Sequence, residues 1–258
     1  MLTNDPANQQ TVGYRATLQR MSSAQKPGRG APPYSRWVNR RLGRYLAAAG
    51  YVLGLTPDQV TAISACFTFA SLVLVLVIAP AWWLGVLVAV LLLIGYALDS
   101  ADGQLARLRG GGSKSGEWLD HVVDATKIGV MHSAVLASFY RFSGERGWIL
   151  VIPLVFMVAS FVFFFGMTLT DQLRRSAATE AGRTYAKPSG GGGAIQTLVA
   201  LPTDYAVLCL AFVLLGGHGI FVVVYALLAL AQALITAAVL VRWWRELRRI
   251  DAAAKPRG

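Results

Sequence analysis

The chain has 258 residues, of which 55% are hydrophobic and 14% are charged, and its mean hydropathy is +0.51. This composition excludes an ordinary soluble domain and is typical of a protein that crosses a membrane several times. The net charge of +11 is compatible with nucleic-acid binding, but the basic residues flank apolar segments instead of covering a soluble face. We therefore expect an integral membrane protein with basic cytoplasmic edges and no nucleic-acid partner.

The N-terminal part of the chain is expected to contain two segments before the first membrane span. Residues 1–30 are polar and rich in Gln, Asn, Ser, Gly and Pro, which predicts a disordered cytoplasmic arm. In residues 31–54, aromatic and apolar residues such as Trp37 and Tyr45 recur at roughly helical spacing, with arginines between them. This pattern predicts an amphipathic helix that lies on the membrane surface, with its arginines toward the lipid headgroups.

Six apolar segments follow, and each is long enough to cross a bilayer. The first begins at Thr56 and Pro57, which suit the N-cap and the first position of a helix. We predict an all-α integral membrane fold, with six transmembrane helices preceded by the juxtamembrane amphipathic helix. The six-helix domain is expected to cover residues 55–250, and residues 251–258 form a basic tail. The predicted spans cover approximately residues 56–78, 82–108, 116–140, 147–173, 194–215 and 220–247.

The distribution of lysine and arginine predicts the orientation of these spans. Eight basic residues precede Leu55, and others lie between the second and third spans, after the fourth and after the sixth. The loops on the opposite side carry Arg141 and Arg146 and no other lysine or arginine. Both chain termini and the connection between the second and third spans are therefore expected to face the cytoplasm from the cell membrane.

Four acidic residues lie where the second and third spans meet that cytoplasmic side. Asp99 and Asp102 are three residues apart, and Asp120 and Asp124 are four apart, so on helices each pair occupies one face. A helical hairpin would bring all four carboxylates together, which is costly unless they bind a cation or perform chemistry. Four oxygen donors predict a site for Mg²⁺ or Mn²⁺.

Small and basic residues accompany these acids. Gly103 and Ala106 keep one helix face small, so that a nucleotide can approach the backbone, and Gly116 opens the third span beside the same site. Arg107 is placed to pair with a phosphate oxygen at the cytoplasmic rim. Lys127 lies about one turn beyond Asp124, and both a counter-ion for the acids and a snorkelling side chain fit its position.

The complete pattern, D-x2-D-G-x2-A-R-x8-G-x3-D-x3-D from Asp99 to Asp124, resembles the signature of the CDP-alcohol phosphotransferase family of membrane enzymes. The resemblance extends to the layout, an amphipathic helix and six spans with the pattern across the second and third. Residues 55–61 resemble the family's LTPNxxT segment, with Asp58 at the usual Asn position.

The resemblance implies a catalytic domain that transfers a phosphatidyl group from a CDP-linked lipid, most often CDP-diacylglycerol, to an alcohol in phospholipid biosynthesis, with release of CMP. It implies that Asp99, Asp102 and Asp120 bind metal and position the nucleotide. Asp124 would deprotonate the acceptor hydroxyl and also contact a metal. A homodimer is implied as well. The residues expected to contact CDP are Asp99, Asp102, Gly103, Ala106, Arg107 and Gly116.

The acceptor alcohol stays open at this point. Arg174 and Arg175, at the end of the fourth span, are candidate ligands for a phosphorylated acceptor, although anchoring at the membrane surface explains them equally well. The start of the fifth span contains Asp204 and no arginine, which weakens the interpretation as a phosphorylated acceptor. A neutral polyol, an amino alcohol and another lipid all remain compatible with the sequence.

Two other functions also place acids in a membrane. A prenyltransferase of the kind that builds quinones gathers acids from two helices around Mg²⁺ and a diphosphate, but it does not explain the Gly103, Ala106 and Arg107 positions. A cation transporter would use acids along an ion path and would not need these three residues either.

Overall fold

The structure is a computed structural model that describes residues 13–23, 33–144, 146–185 and 201–254. These residues are helical and contain no β-strand. A π-helical turn, Ser35–Asn39, precedes α2, and short 3₁₀ turns precede α6 and flank α7. In the described ranges the helices are α1 Tyr14–Ser23, α2 Arg40–Val52, α3 Pro57–Val77, α4 Trp82–Leu108, α5 Lys114–Phe142, α6 Val151–Glu180, α7 Tyr205–Ala211 and α8 His218–Ala254.

Five helices among the described residues are long and apolar enough to cross a membrane, namely α3, α4, α5, α6 with its preceding turn, and α8. They correspond to the first four predicted spans and to the sixth. The predicted fifth span begins in residues 194–200, which lie outside the described residues. Its described part is the shorter apolar helix Tyr205–Gly216.

The N-terminal arm differs from the sequence prediction. Residues 14–23 form the helix α1, whereas we expected disorder throughout residues 1–30. The helix is ordered because Thr17 and Met21, one turn apart, are buried, and Met21 packs in a small apolar cluster with Ala47 of α2 and Leu105 of α4. The polar composition of this segment did not indicate that Thr17 and Met21 would be buried on one side of a helix. The predicted arm residues 1–12 and 24–30 lie outside the described residues.

The helix α2 has two different faces. Gly43, Ala47 and Gly50 are buried, so the small residues pack against the rest of the protein. Tyr45 of α2 and Trp37 of the preceding π-helical turn are exposed, with 45% and 55% of their surface accessible. Residues 40–52 of the predicted segment are therefore helical, and the position of this helix at the membrane surface stays a prediction.

Small residues allow α3 and α4 to approach closely. Thr56 caps α3 by accepting a hydrogen bond from the Gln59 amide at 3.2 Å. Further along, the Ser64 hydroxyl donates to the Gly95 carbonyl at 2.8 Å, which joins the two helices inside the apolar layer. This contact holds the start of α3 beside the last turns of α4, where the predicted site lies.

A second close approach lies at the opposite end of α4. A Cβ atom on Gly85 would collide with the backbone carbonyls of Phe212 and Val213 in the turn after α7. Leu84 and Val88 beside it belong to the main core, which also contains Phe212. Because Gly85 meets backbone atoms, a side chain at this position cannot be accommodated by rotation of a neighbour.

Replacing Gly85 with Ala is expected to lower the free energy of unfolding by about 1–3 kcal/mol, since backbone atoms must move to admit the methyl group. Thermal unfolding in detergent micelles measures the effect. Gly129→Ala in α5 is the matched control, because no atom lies within 4 Å of the added Cβ. Equal melting temperatures for the two variants would contradict the close packing at Gly85.

Candidate active site

The connection between α4 and α5 places the predicted acidic residues together. Gly110 and Gly111 have positive φ angles of 98° and 130°, which reverse the chain within a few residues. Ser113 then caps α5 by accepting a hydrogen bond from the Gly116 amide at 2.9 Å. The side chains on the last turns of α4 therefore meet those on the first turns of α5, as the sequence predicted.

Three of the four predicted acids form a compact group. Asp99, Asp120 and Asp124 each place one carboxylate oxygen within 4.8 Å of the others, and all three are half-buried. Oxygen donors at this spacing can hold a divalent cation such as Mg²⁺ or Mn²⁺. Asp102 is more deeply buried, at 6% exposure, and accepts a hydrogen bond from the Thr61 hydroxyl at 2.5 Å and one from the Gly103 amide.

Lys127 is the counter-ion of this acidic group. Its ammonium lies 2.5 Å from Asp99 Oδ1 and 3.2 Å from Asp124 Oδ1, and its side chain is 8% exposed. Of the two roles that the sequence left open for Lys127, the structure supports that of a counter-ion and not that of a snorkelling side chain. Lys127 uses one oxygen of each carboxylate, which compensates part of the negative charge of the group.

A cavity of about 690 Å³ opens beside the acids, within the size range of small-molecule sites. Of the residues predicted to contact CDP, all but Asp99 line this cavity, and Asp99 adjoins it through the acidic group. Helix α3 contributes Asp58 and Thr61 on one side, and α6 contributes Phe164 on the other. The motif residues on the lining are Asp102, Gly103, Ala106, Arg107, Gly116, Asp120 and Asp124.

The two candidate acceptor arginines point in different directions. Arg174 does not line the cavity, and its guanidinium donates to both carboxylate oxygens of Glu246 in α8, at 2.9 and 2.7 Å. Arg175 lines the cavity and pairs with Glu117 at 2.9 Å and with Asp171 at 2.9 Å. The structure therefore brings only the second of these arginines to the predicted site.

Asp171 also accepts a hydrogen bond from the Tyr185 hydroxyl, just beyond the end of α6. Burial and this hydrogen bond raise the pKa of Tyr185 above its usual value, so the phenol stays protonated and donates.

Sequence reasoning missed several partners. The role of Thr61 could have been found, because it ends the 55–61 segment and faces the motif from α3. The four-residue spacing of Asp171 and Arg175 on one helix was also a readable signal. The pairing of Arg174 with Glu246 joins residues 72 positions apart, and no local pattern indicates it.

The chain resembles known proteins in sequence and in fold. The family model described as CDP-alcohol phosphatidyltransferase matches residues 54–244, which is well over half of the chain. No curated protein sequence gives a significant match. The solved structures that resemble the chain include the phosphatidylinositol phosphate synthase of Mycobacterium tuberculosis with CDP-DAG bound, at 23% identity and a TM-score of 0.50. That likeness covers 80% of this chain and 94% of the synthase chain, and it establishes the fold alone.

Two further structures of the same synthase are also similar to the chain. The complex with manganese and citrate has 23% identity and a TM-score of 0.49, covering 77% of this chain and 87% of that one. The apo form has 25% identity and a TM-score of 0.48, covering 77% and 93%.

Replacing Lys127 with Met is expected to lower the free energy of unfolding by about 2 kcal/mol in metal-free buffer, because Asp99 and Asp124 lose their shared cation. Added Mn²⁺ should recover part of this loss, since an ion supplies the missing positive charge. Thermal unfolding with a chelator and then with Mn²⁺ measures both effects. Lys114→Met, at the exposed start of α5, removes the same charge outside the acidic group and is the control. Indistinguishable melting temperatures in chelator would contradict the role given to Lys127.

Proposed function

Because the chain belongs to the CDP-alcohol phosphatidyltransferase family and is a membrane phosphotransferase of phospholipid synthesis, we propose that it uses CDP-diacylglycerol as its donor. The family is metal-dependent and joins a CDP-linked lipid to an alcohol acceptor. In the proposed reaction the phosphatidyl group is transferred to the acceptor hydroxyl, and CMP is released. The observation that carries this proposal is the group of three carboxylates, within 4.8 Å of one another, beside a cavity lined by the motif residues.

The residues present fit a divalent ion. Lys127 occupies one oxygen each of Asp99 and Asp124, which leaves the second oxygen of each carboxylate, together with Asp120, as donors toward an ion. We assign Asp99, Asp102, Asp120 and Asp124 as the residues that would hold Mg²⁺ or Mn²⁺. When bound, such an ion supplies positive charge that stabilises the diphosphate of the donor.

The remaining motif residues are assigned to the CDP group. Gly103, Ala106 and Gly116 present little side-chain volume to the cavity, so the nucleotide can lie against the helix backbones. Arg107 lines the same wall and would bind a phosphate oxygen. The Thr61 hydroxyl orients Asp102 from α3, which keeps one carboxylate fixed while the donor binds.

Asp124 is assigned as the general base. Its carboxylate belongs to the acidic group and also lines the cavity, to which α6 contributes several residues, so an acceptor in the cavity can reach it. Asp124 takes the proton of the acceptor hydroxyl, whose oxygen then forms a bond to the phosphorus of the phosphatidyl group. The bond from this phosphorus to the oxygen bridging to CMP breaks, and CMP leaves with that oxygen and the bonding electrons.

The proposal includes the arrangement in the membrane. Six spans cross the bilayer within the catalytic domain, residues 55–250, with the fifth formed by residues 194–215. The exposed Trp37 and Tyr45 support a position of α2 on the membrane surface. Both chain termini and the cavity face the cytoplasm, as the arginine distribution favours.

We also propose a homodimer. Large apolar side chains point outward along α6, including Val158 at 57% and Phe165 at 59% exposure, and provide a surface for a second copy within the bilayer.

Asp124→Asn is expected to lower the rate of CMP release by at least about 100-fold, because the amide cannot accept the hydroxyl proton. Purified protein with radiolabelled CDP-diacylglycerol and a panel of alcohols measures this rate. Asp58→Asn is the matched control, since Asp58 lines the same cavity and asparagine is the usual family residue there. Retained turnover in a folded Asp124→Asn preparation would show that another group is the base.

Chelation of divalent ions is expected to abolish CMP release, and either Mg²⁺ or Mn²⁺ should restore it, because the acids then regain a cation facing the diphosphate. Full activity after exhaustive chelation, checked by elemental analysis, would contradict the metal assignment.

A further inference from the structure

We propose that the acceptor of this enzyme is an alcohol without a phosphate or any other negative charge, a conclusion that rests on the function proposed above. Two steps support it. The two candidate acceptor arginines, Arg174 and Arg175, are already bound to carboxylates, and the α6 side of the cavity carries excess negative charge.

The acceptor side of the cavity follows from the positions of the donor residues and the base. Gly103 and Arg107, assigned to the CDP group, lie on α4. Asp124 lies on α5, and α6, which packs against α5, lines the cavity with Phe164, Met167, Thr168, Asp171, Gln172 and Arg175. An acceptor that reaches Asp124 while the donor occupies the α4 side therefore contacts residues of α6.

Arg174 cannot serve this acceptor in the observed arrangement. Its Nε and Nη2 atoms form a bidentate pair with Glu246 at 2.9 and 2.7 Å, and the residue does not line the cavity. A bidentate pair of this kind fixes the guanidinium plane. Arg174 therefore joins α6 to α8, and its guanidinium is already bound to a carboxylate.

Arg175 reaches the cavity, but two carboxylates compensate its charge. Its Nη1 donates to Glu117 Oε1 at 2.9 Å, while Nη2 and Nε lie 2.9 and 3.2 Å from Asp171 Oδ2. Tyr185 donates a further hydrogen bond to Asp171, which holds the acid against the arginine. One positive and two negative charges give this group a net charge of −1.

Two effects would disfavour the binding of a phosphate at this wall. The phosphate would have to displace a carboxylate from Arg175, and it would lie beside Glu117 and Asp171 with like charge. Among the described residues, Arg175 is the single cation that α6 contributes to the cavity. Hydroxyl and ammonium groups instead donate hydrogen bonds to these carboxylates, so a polyol or an amino alcohol complements the wall.

The first test compares matched acceptors. Full-length protein with Mg²⁺ and CDP-diacylglycerol is supplied with glycerol or glycerol phosphate, and with inositol or inositol phosphate, and CMP release is measured. The unphosphorylated member of a pair is expected to react at least about tenfold faster, which corresponds to about 1.4 kcal/mol of discrimination. A faster or equal rate with the phosphorylated member overturns the proposal.

The second test does not require that any of these alcohols is the natural acceptor. Binding of glycerol phosphate and inositol phosphate is measured by calorimetry with CMP and Mg²⁺ present, so that the nucleotide site is filled. Wild-type protein is expected to bind neither with a Kd below about 1 mM. The double variant Glu117→Gln/Asp171→Asn keeps the side-chain shapes, releases Arg175 from both charges, and should bind at least about tenfold more tightly.

Asp58→Asn controls for the general loss of negative charge, because it removes an acid from the same cavity without releasing Arg175. Submillimolar binding by the wild type, or a gain in Asp58→Asn equal to that of the double variant, overturns the proposal. So does the absence of a gain in a double variant whose melting temperature shows that it is folded. Failure of the proposed function is seen separately, as absence of Mg²⁺-dependent binding of CDP-diacylglycerol.

Discussion

Carboxylates gathered at the end of an apolar helical bundle repel one another, and burial removes the water that would weaken the repulsion. Asp99, Asp120 and Asp124 meet this condition, with oxygens within 4.8 Å. Lys127 supplies one positive charge between Asp99 and Asp124. The negative charge that Lys127 does not compensate is available to bind a metal ion. The surrounding helices must therefore hold the acids in place against this repulsion.

The helix packing provides that rigidity. Ser64 and Gly95 let α3 and α4 lie close together in the apolar layer, where such contacts stabilise membrane bundles in place of the hydrophobic effect. Their proximity carries Thr61 to within 2.5 Å of Asp102 at the end of the bundle. On the other side, the network around Arg175 fixes α6 against α5. The walls proposed to contact the donor and the acceptor thus belong to different helices, α4 and α6.

Much of this arrangement was predictable, because acids at helical spacing on consecutive spans meet when the chain reverses. The family match over residues 54–244 also decides against the prenyltransferase and transporter alternatives. The helix α1 was not predictable from composition, since Met21 is a single buried apolar residue in a polar segment. Tertiary pairs such as Arg174 with Glu246 depend on how α6 and α8 pack, which no local pattern encodes. The sequence likewise could not decide whether Lys127 acts as a counter-ion or as a snorkelling side chain.

The central claim is that the acids of α4 and α5 hold the ion that faces the diphosphate of a CDP-linked lipid. Anomalous scattering from Mn²⁺ in crystals grown with CDP-diacylglycerol tests it most directly. The expected result is a manganese peak bound by carboxylate oxygens of the assigned acids, Asp99, Asp102, Asp120 and Asp124, with the CMP group against Gly103 and Arg107. A manganese peak elsewhere in the chain, or a nucleotide bound outside this cavity, would contradict the account.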